Sequence, residues 1–235
     1  MKECILLAGG FGTRLQSVVK DVPKCMADVG GKPFLYYMMS YLEREEFTHV
    51  ILSLGYKSDI VVEWLSQNVF GFEVSYVVEN EPLGTGGAIK YAMQTKAKSD
   101  SVFVMNGDTM FMVETESLID FHQSSDADIT LALKPMINFD RYGIVTLNSD
   151  GRIEGFNEKR FCERGLINGG VYLLNRRIFD KSSVPKSFSF EKDILEKGIN
   201  DLKICGLVQD TYFIDIGIPD DYVKANEDFI NLFER

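Results

Sequence analysis

The sequence predicts an α/β fold: a mixed, mostly parallel central sheet flanked by helices, with a small additional β element. Short apolar runs of strand length alternate with segments whose apolar residues recur at helical spacing through the first two thirds of the chain. In the last third, strand-like runs and a hairpin signal replace that alternation. A glycine-rich loop directly follows the first strand, the place where open α/β sheets present backbone to ligands.

The predicted strands of the first part are Cys4–Leu7, Val50–Leu54, Val74–Val78, Val102–Met105 and Ile129–Leu133. Helices are predicted between them at Pro33–Leu42, Asp59–Leu65, Gly87–Met93 and Glu116–His122. Such a βαβαβ order calls for parallel strands covered on both faces. Further on, Gly143–Leu147 and Ile153–Phe156 flank Asn148-Ser149-Asp150-Gly151, a hairpin turn. Strands at Leu166–Leu174, Ile204–Val208 and Tyr212–Ile216, with helices at Glu191–Lys197 and Asp220–Phe233, complete the prediction. With no repeat, low-complexity tract or linker, residues 1–235 are expected to form one domain.

A chain of 235 residues with 45% hydrophobic and 26% charged residues is long enough to bury roughly 70% of its unfolded surface without disulfide or metal staples. Cys4, Cys25, Cys162 and Cys205 are too scattered for a zinc cluster and read as reduced thiols. The opening residues MKECILLAGG do not form a signal peptide, and no apolar run approaches a membrane span, so a cytoplasmic location is expected. The net charge of −10 disfavours nucleic acid and anionic membranes as partners. Small phosphates would then need a local cluster of basic residues helped by a divalent cation.

That cluster begins at Ala8-Gly9-Gly10-Phe11-Gly12-Thr13-Arg14-Leu15, followed by Pro23-Lys24. Glycines let backbone N–H groups approach an anion, and Arg14 and Lys24 add full charges. Gly-Gly alone accounts equally well for a tight turn, and the spacing is neither a dinucleotide GxGxxG nor a P-loop. Thr-Arg-Leu and Pro-Lys at this spacing favour a polyphosphate site.

These motifs resemble the signature of the sugar-1-phosphate nucleotidyltransferase family, a strand followed by GGxGTRL and then Pro-Lys, and the resemblance runs through essentially the whole chain. The stretch Phe11 to Lys24 is similar to that of the D-glycero-D-manno-heptose 1-phosphate guanylyltransferases. The resemblance implies a Rossmann-like nucleotidyltransferase fold. It further implies that Leu7, Ala8, Gly9, Gly10, Gly12, Thr13 and Arg14 surround the nucleotide, with Lys24 near the α-phosphate or the sugar phosphate. Relatives commonly carry proline where this chain has Cys25.

Leu83-Gly84-Thr85-Gly86-Gly87-Ala88, between a strand and a helix, suits either close backbone approach to a base or a loop with an N-capping threonine. The resemblance places Gly84, Thr85 and Gly86 at base and ribose, while the residues themselves do not decide between guanine and adenine. Asn106-Gly107-Asp108 sets a carboxylate at the carboxyl end of a strand, and Phe213-Ile214-Asp215 sets a second at another. A lone aspartate there is more often a turn residue, but the resemblance makes Asp108 and Asp215 magnesium ligands, and two carboxylates suit that ion. Ile218 stands where many relatives have threonine.

Glu158, Lys159, Asn168 and Gly170 have ordinary readings as an exposed charge pair and a bulge. The resemblance assigns Lys159 to phosphate, Glu158 and Asn168 to sugar, and Gly170 to making room for the ring; Glu79 is a weaker sugar-side candidate. Phe139-Asp140-Arg141-Tyr142-Gly143 also matches the heptose subgroup without a role for Arg141 or Tyr142. His49 and His122 have unremarkable neighbours, and no serine or cysteine has a base at a supporting spacing, so a protein nucleophile is not expected.

The expected reaction joins GTP, or another NTP, to a sugar 1-phosphate, with D-glycero-α-D-manno-heptose 1-phosphate favoured and pyrophosphate released. Arg14, Lys24 and Asp108 are its expected catalytic residues. Mannose or glucose 1-phosphate are alternative acceptors, and a non-catalytic nucleotide-sugar sensor is the rival of another class. A metal-dependent glycosyltransferase would share the α/β plan but not need the glycine-arginine loop. GDP-heptose for surface polysaccharide, and a monomer or small homo-oligomer such as a homodimer, complete the expectations from the resemblance.

Overall fold

The computed structural model describes residues 1–10, 19, 21–180 and 184–233. It begins with β1 (Glu3–Leu7), then a 3-10 turn at Lys24–Met26 and a two-stranded ribbon of β2 (Asp28–Val29) and β3 (Lys32–Pro33). Next come α1 (Phe34–Arg44), β4 (His49–Leu54), α2 (Ser58–Ser66), β5 (Glu73–Val78), α3 (Gly84–Thr95) and β6 (Ser101–Asn106). A short β7 (Thr109–Phe111) leads to α4 (Thr115–Ser124), β8 (Ile129–Phe139), β9 (Ile144–Leu147), β10 (Ile153–Asn157) and β11 (Cys162–Asn175). The chain closes with β12 (Ile204–Val208), β13 (Phe213–Asp215) and α5 (Pro219–Phe233).

Period-two burial makes the central strands. On β1, Cys4 and Leu6 enter one core while Ile5 enters the other, and β4 divides Val50, Leu52 and Leu54 from Ile51 in the same way. The first core is covered by α1, α2 and α5, where Tyr37 on α1 meets Phe229 on α5 edge-on at 4.8 Å. The second core is closed by α3 through Ile89, Ala92 and Met93 and by the segment from Phe188 to Ile204.

Among the described residues, a nine-stranded sheet runs β10-β9-β11-β6-β1-β4-β5, with β8 on β11 and β12 on β8. Strands β5, β4, β1 and β6 are parallel, and β11 joins β6 antiparallel. The connections from β1 step outward to β4 and β5, after which α3 carries the chain back to β6 on the other side of β1. This reversal creates a crevice at the carboxyl ends of β1, β4 and β6. The small additional β element consists of β7 paired with β13, and of the β2–β3 ribbon.

Most predicted elements fall within a residue or two of the observed ones, and β12 matches at both ends. The exceptions have local causes. Helix α3 begins at Gly84 rather than Gly87, because glycines that weaken a helix pattern here allow tight packing on residues 186–188. Strands β8 and β11 extend beyond their apolar cores into a half-exposed pair. Phe190–Glu196 is a π-helical segment followed by a 3-10 turn at Lys197–Asn200, in place of the predicted α-helix. Strand β7, three residues long, has too few positions to show a period. The four cysteines are unpaired, with only Cys162 not buried. No helix among the described residues is long and apolar enough to cross a membrane.

Candidate active site

A cleft of about 560 Å³ opens over the carboxyl ends of the parallel strands. Its floor is made by strand ends packed so closely that side chains are excluded. A Cβ on Gly55 would meet Gly9 O at 2.9 Å, and one on Gly107 would meet Leu7 O at 2.6 Å. Ala8 N–H donates to Ser53 O and Gly107 N–H to Leu7 O, both at 2.9 Å, tying the loop after β1 to its two neighbours. Leu7, Ala8, Gly9, Gly10, Lys24, Gly84, Thr85 and Asp108 all line this cleft. Gly12, Thr13 and Arg14 lie outside the described residues.

A smaller cleft of about 180 Å³ adjoins it, sharing Asn106, and is lined by Lys159, Asn168, Gly170 and Asp215 together with Arg141, Tyr142 and Ile218. Asp215 reaches Asp108 through the small ribbon: Asp215 on β13 pairs with Thr109 on β7, and Ile216 N–H donates to Asp108 O at 3.1 Å. Between the carboxylates stands Lys24, whose Nζ donates to Asp108 Oδ2 at 2.6 Å and to Asp215 Oδ1 at 3.4 Å. The lysine side chain is 12% exposed, whereas Asp108 and Asp215 are 38% and 27% exposed, so the carboxylates open to the clefts and the ammonium lies beneath them. No group of three or more His, Cys, Asp or Glu suited to a metal occurs among the described residues. Two carboxylates converging on one positive group still suit a hard cation that takes its remaining ligands from phosphate and water.

Three of the expected positions have contacts of their own in this geometry. Glu79, expected on the sugar side, stands in the larger cleft, where its Oε1 accepts from Ser53 Oγ at 3.2 Å and its Oε2 from Leu83 N–H at 3.0 Å. It follows β5, on the far side of β4 from β11, the strand that carries Asn168 and Gly170. Gly86, expected at the base, is buried against Phe188: a Cβ would lie 2.2 Å from that ring, and Gly86 N–H donates to Phe188 O. Glu158 is exposed and lines neither cleft.

Asn168, Gly169 and Gly170 occupy a register shift inside β11 rather than its beginning. Asn168 Oδ1 accepts from Gly170 N–H at 3.0 Å, and its Nδ2 donates to the buried Tyr172 hydroxyl at 2.9 Å. Gly170 has φ +74°, and a Cβ there would strike Asn106 Nδ2 at 2.5 Å. The space it leaves is thus taken by the asparagine side chain shared between the clefts.

Ser53, Gly55, Tyr56, Asn106 and Glu191 on the larger cleft, and Thr109 on the smaller, were not anticipated. The first three follow or end β4 as the glycine loop follows β1, a signal visible only once the two strand ends are known to be adjacent. Arg141 Nη2 donates to Asp221 Oδ2 at 2.6 Å; burial works against its charge, but Asp221 outweighs that and holds the guanidinium more firmly protonated. Burial, with the charge of Asp215, pushes Tyr142 above the usual phenol range. Burial and the nearby Asp108 push the Cys25 thiol up to about 12, so it is no nucleophile at neutral pH.

The arrangement can hold two anions side by side, each against backbone or cationic groups, with paired carboxylates at their junction. A family model for nucleotidyl transferases matches residues 3–231. The D-glycero-alpha-D-manno-heptose 1-phosphate guanylyltransferase of Aneurinibacillus thermoaerophilus is 47% identical, over 96% of this chain and 97% of that one. The protein of the same name from Campylobacter jejuni is 42% identical, over 94% and 96%. The crystal structure of HddC from Yersinia pseudotuberculosis complexed with GMP-PN superposes with a TM-score of 0.87 at 40% identity, covering 97% of this chain and 100% of that one.

Proposed function

The chain belongs to the nucleotidyl transferase family, and on that premise we propose that it transfers the guanylyl group of GTP to D-glycero-α-D-manno-heptose 1-phosphate. A phosphate oxygen of the sugar attacks the α-phosphorus, the bond from that phosphorus to the bridging oxygen breaks, and pyrophosphate leaves as GDP-heptose forms. The observation that carries this reading is Lys24 between Asp108 and Asp215 where the two clefts meet. The two guanylyltransferase relatives and the GMP-PN complex support the choice of base and sugar.

In this reading the larger cleft takes GTP, with the Gly9–Gly10 backbone facing the phosphates, and the smaller takes the sugar 1-phosphate against Lys159, Asn168 and Arg141. The sugar phosphate is already ionised at neutral pH, so no general base is needed. The protein accelerates the reaction by positioning and by charge neutralisation. Asp108 and Asp215 would hold magnesium, which when bound neutralises charge on the reacting phosphates. Lys24 and Lys159 supply fixed positive charge on either side, and Arg14 is proposed to add to it. Residues 1–235 act as one nucleotidyltransferase unit.

The test is pyrophosphate release over four NTPs and several sugar 1-phosphates. GTP with the heptose 1-phosphate is expected to give the highest kcat/KM. Preference for mannose 1-phosphate or for another NTP would overturn the substrate assignment, and binding without release by any pair would make the protein a sensor. In Asp108→Asn and Asp215→Asn, turnover is expected to fall on the order of 100-fold or more with magnesium present. Wild-type turnover in both would remove the metal assignment.

A further inference from the structure

The Lys24 ammonium stands at the point where Asp108 and Asp215 converge, 2.6 Å from Asp108 Oδ2 and 3.4 Å from Asp215 Oδ1. Both carboxylates are held in the orientation that faces it. Asp108 Oδ1 accepts from the Thr109 hydroxyl at 3.2 Å, and Asp215 Oδ1 accepts from Gly217 N–H at 2.8 Å. A Cβ on Gly217 would lie 2.8 Å from Asp215 Oδ1 and 3.2 Å from Lys24 Nζ, so the bare backbone there leaves room for the pair. The lysine backbone is equally fixed: Met26 N–H donates to Pro23 O at 2.8 Å, Ala27 N–H to Lys24 O at 3.0 Å, and the adjoining Cys25 is buried. Any movement of the charge must therefore come from the flexible four-carbon stem.

A magnesium ion takes oxygen ligands at about 2.0–2.1 Å. To take both carboxylates it needs the space in which Nζ lies. A doubly charged cation and an ammonium held side by side repel strongly, the more so in a site partly withdrawn from water. Lys24 also lines the larger cleft, where the phosphates of a nucleotide offer the ammonium a second set of anionic oxygens. Turning from carboxylate to phosphate keeps the lysine charge paired and leaves the two aspartates for the cation.

We infer that Lys24 and the divalent cation exclude each other at Asp108 and Asp215, and that the nucleotide's phosphates, by taking the ammonium, open the aspartates to the cation. The inference rests on the reading of Asp108 and Asp215 as magnesium ligands. Metal and nucleotide then raise each other's affinity by the same factor, as linkage requires. Lys24 makes metal entry conditional on nucleotide, a function separate from the charge it gives the reacting phosphates.

The test titrates Mn²⁺ into the full-length protein without sugar phosphate, reading unbound metal by electron paramagnetic resonance. Wild type, Lys24→Met and Lys159→Met are compared, the last removing a charge from the smaller cleft but not from the aspartates. Without nucleotide, Lys24→Met is expected to bind Mn²⁺ about tenfold or more tighter than wild type, and Lys159→Met within about twofold of it. The gain should vanish in Lys24→Met/Asp108→Asn. Adding GTP, with its own affinity for Mn²⁺ subtracted, should tighten binding in wild type and much less in Lys24→Met. Equal Mn²⁺ affinity in wild type and Lys24→Met, an equal gain in Lys159→Met, or equal tightening by GTP in both proteins overturns the inference while the metal reading stands. Binding that ignores Asp108 in every protein, with and without GTP, overturns both. Should Lys24→Met fail to fold, Lys24→Gln serves the same comparison.

Discussion

Lys24 Nζ lies 2.6 Å from Asp108 Oδ2, and the same ammonium reaches Asp215 at 3.4 Å. A buried stem thus delivers one positive charge to the junction of the two clefts. Replacing it by methionine keeps the length and apolar stem but leaves the carboxylates facing each other uncompensated. In Lys24→Met, kcat/KM for pyrophosphate release is expected to fall on the order of 100-fold or more. Steady-state kinetics at several magnesium concentrations would check this; near-wild-type turnover would show that the lysine is only structural.

Two glycines separate packing from binding. Gly86→Ala would drive a methyl to within 2.2 Å of the buried Phe188 ring and should destabilise the fold by about 1–3 kcal/mol, read by thermal melting. At Gly10 a Cβ meets nothing within 4 Å, so Gly10→Ala should melt like wild type. If its backbone faces the phosphates, Gly10→Ala should nevertheless bind GTP more weakly, measured by calorimetry.

Arg141 on the wall of the smaller cleft is tied to Asp221 in the first turn of α5. Arg141→Met is expected to raise KM for the sugar 1-phosphate several-fold while leaving KM for GTP nearly unchanged. Because the two side chains are in contact, Arg141→Met and Asp221→Asn should be non-additive by about 0.5–3 kcal/mol in a double-mutant cycle. Additive effects would mean that the ion pair carries no coupling.

At the amino end of the sheet, away from the clefts, the buried Glu3 carboxylate accepts from Lys98 N–H, Ser99 N–H and His49. Burial pushes its pKa up, but the bonds from His49, Ser99 and Lys98 outweigh that and hold it below the ordinary 4.5. A depressed folded pKa means that the unfolded chain takes up the proton first on acidification. Glu3 therefore contributes its full stability above pH 4.5, and this contribution declines as pH falls below that value through the folded pKa. Glu3→Gln should cost about 1–3 kcal/mol at pH 7 and remove this component of the acid slope. Urea titrations between pH 3 and 7 would show both effects, and an unchanged slope would discard the assignment.

Much of this architecture was legible from local pattern. Strands β1, β4, β5 and β6 and helices α1, α2 and α4 announced themselves by apolar spacing, because each buries a face whose period is a property of neighbouring residues. The glycines after β1, the aspartate two residues beyond β6 and the one ending β13 were visible for the same reason, since a residue's place at or just after a strand end can be read from the strand. The π-helical segment was not, because its backbone departs from the 3.6-residue spacing that pattern reading assumes.

Sequence by itself therefore determined the class of fold, the glycine loop and which carboxylates end strands. Tertiary structure alone decided which of those ends meet. Asp215 joins Asp108 through β7 and β13, two three-residue strands too short to signal their pairing. Glu79 went to the larger cleft because β5 lies beyond β4, and Gly86 faces Phe188 because α3 packs on residues distant in sequence. Periodicity is fixed between chain neighbours, whereas strand order and helix contacts are settled by long-range burial, which no local pattern records.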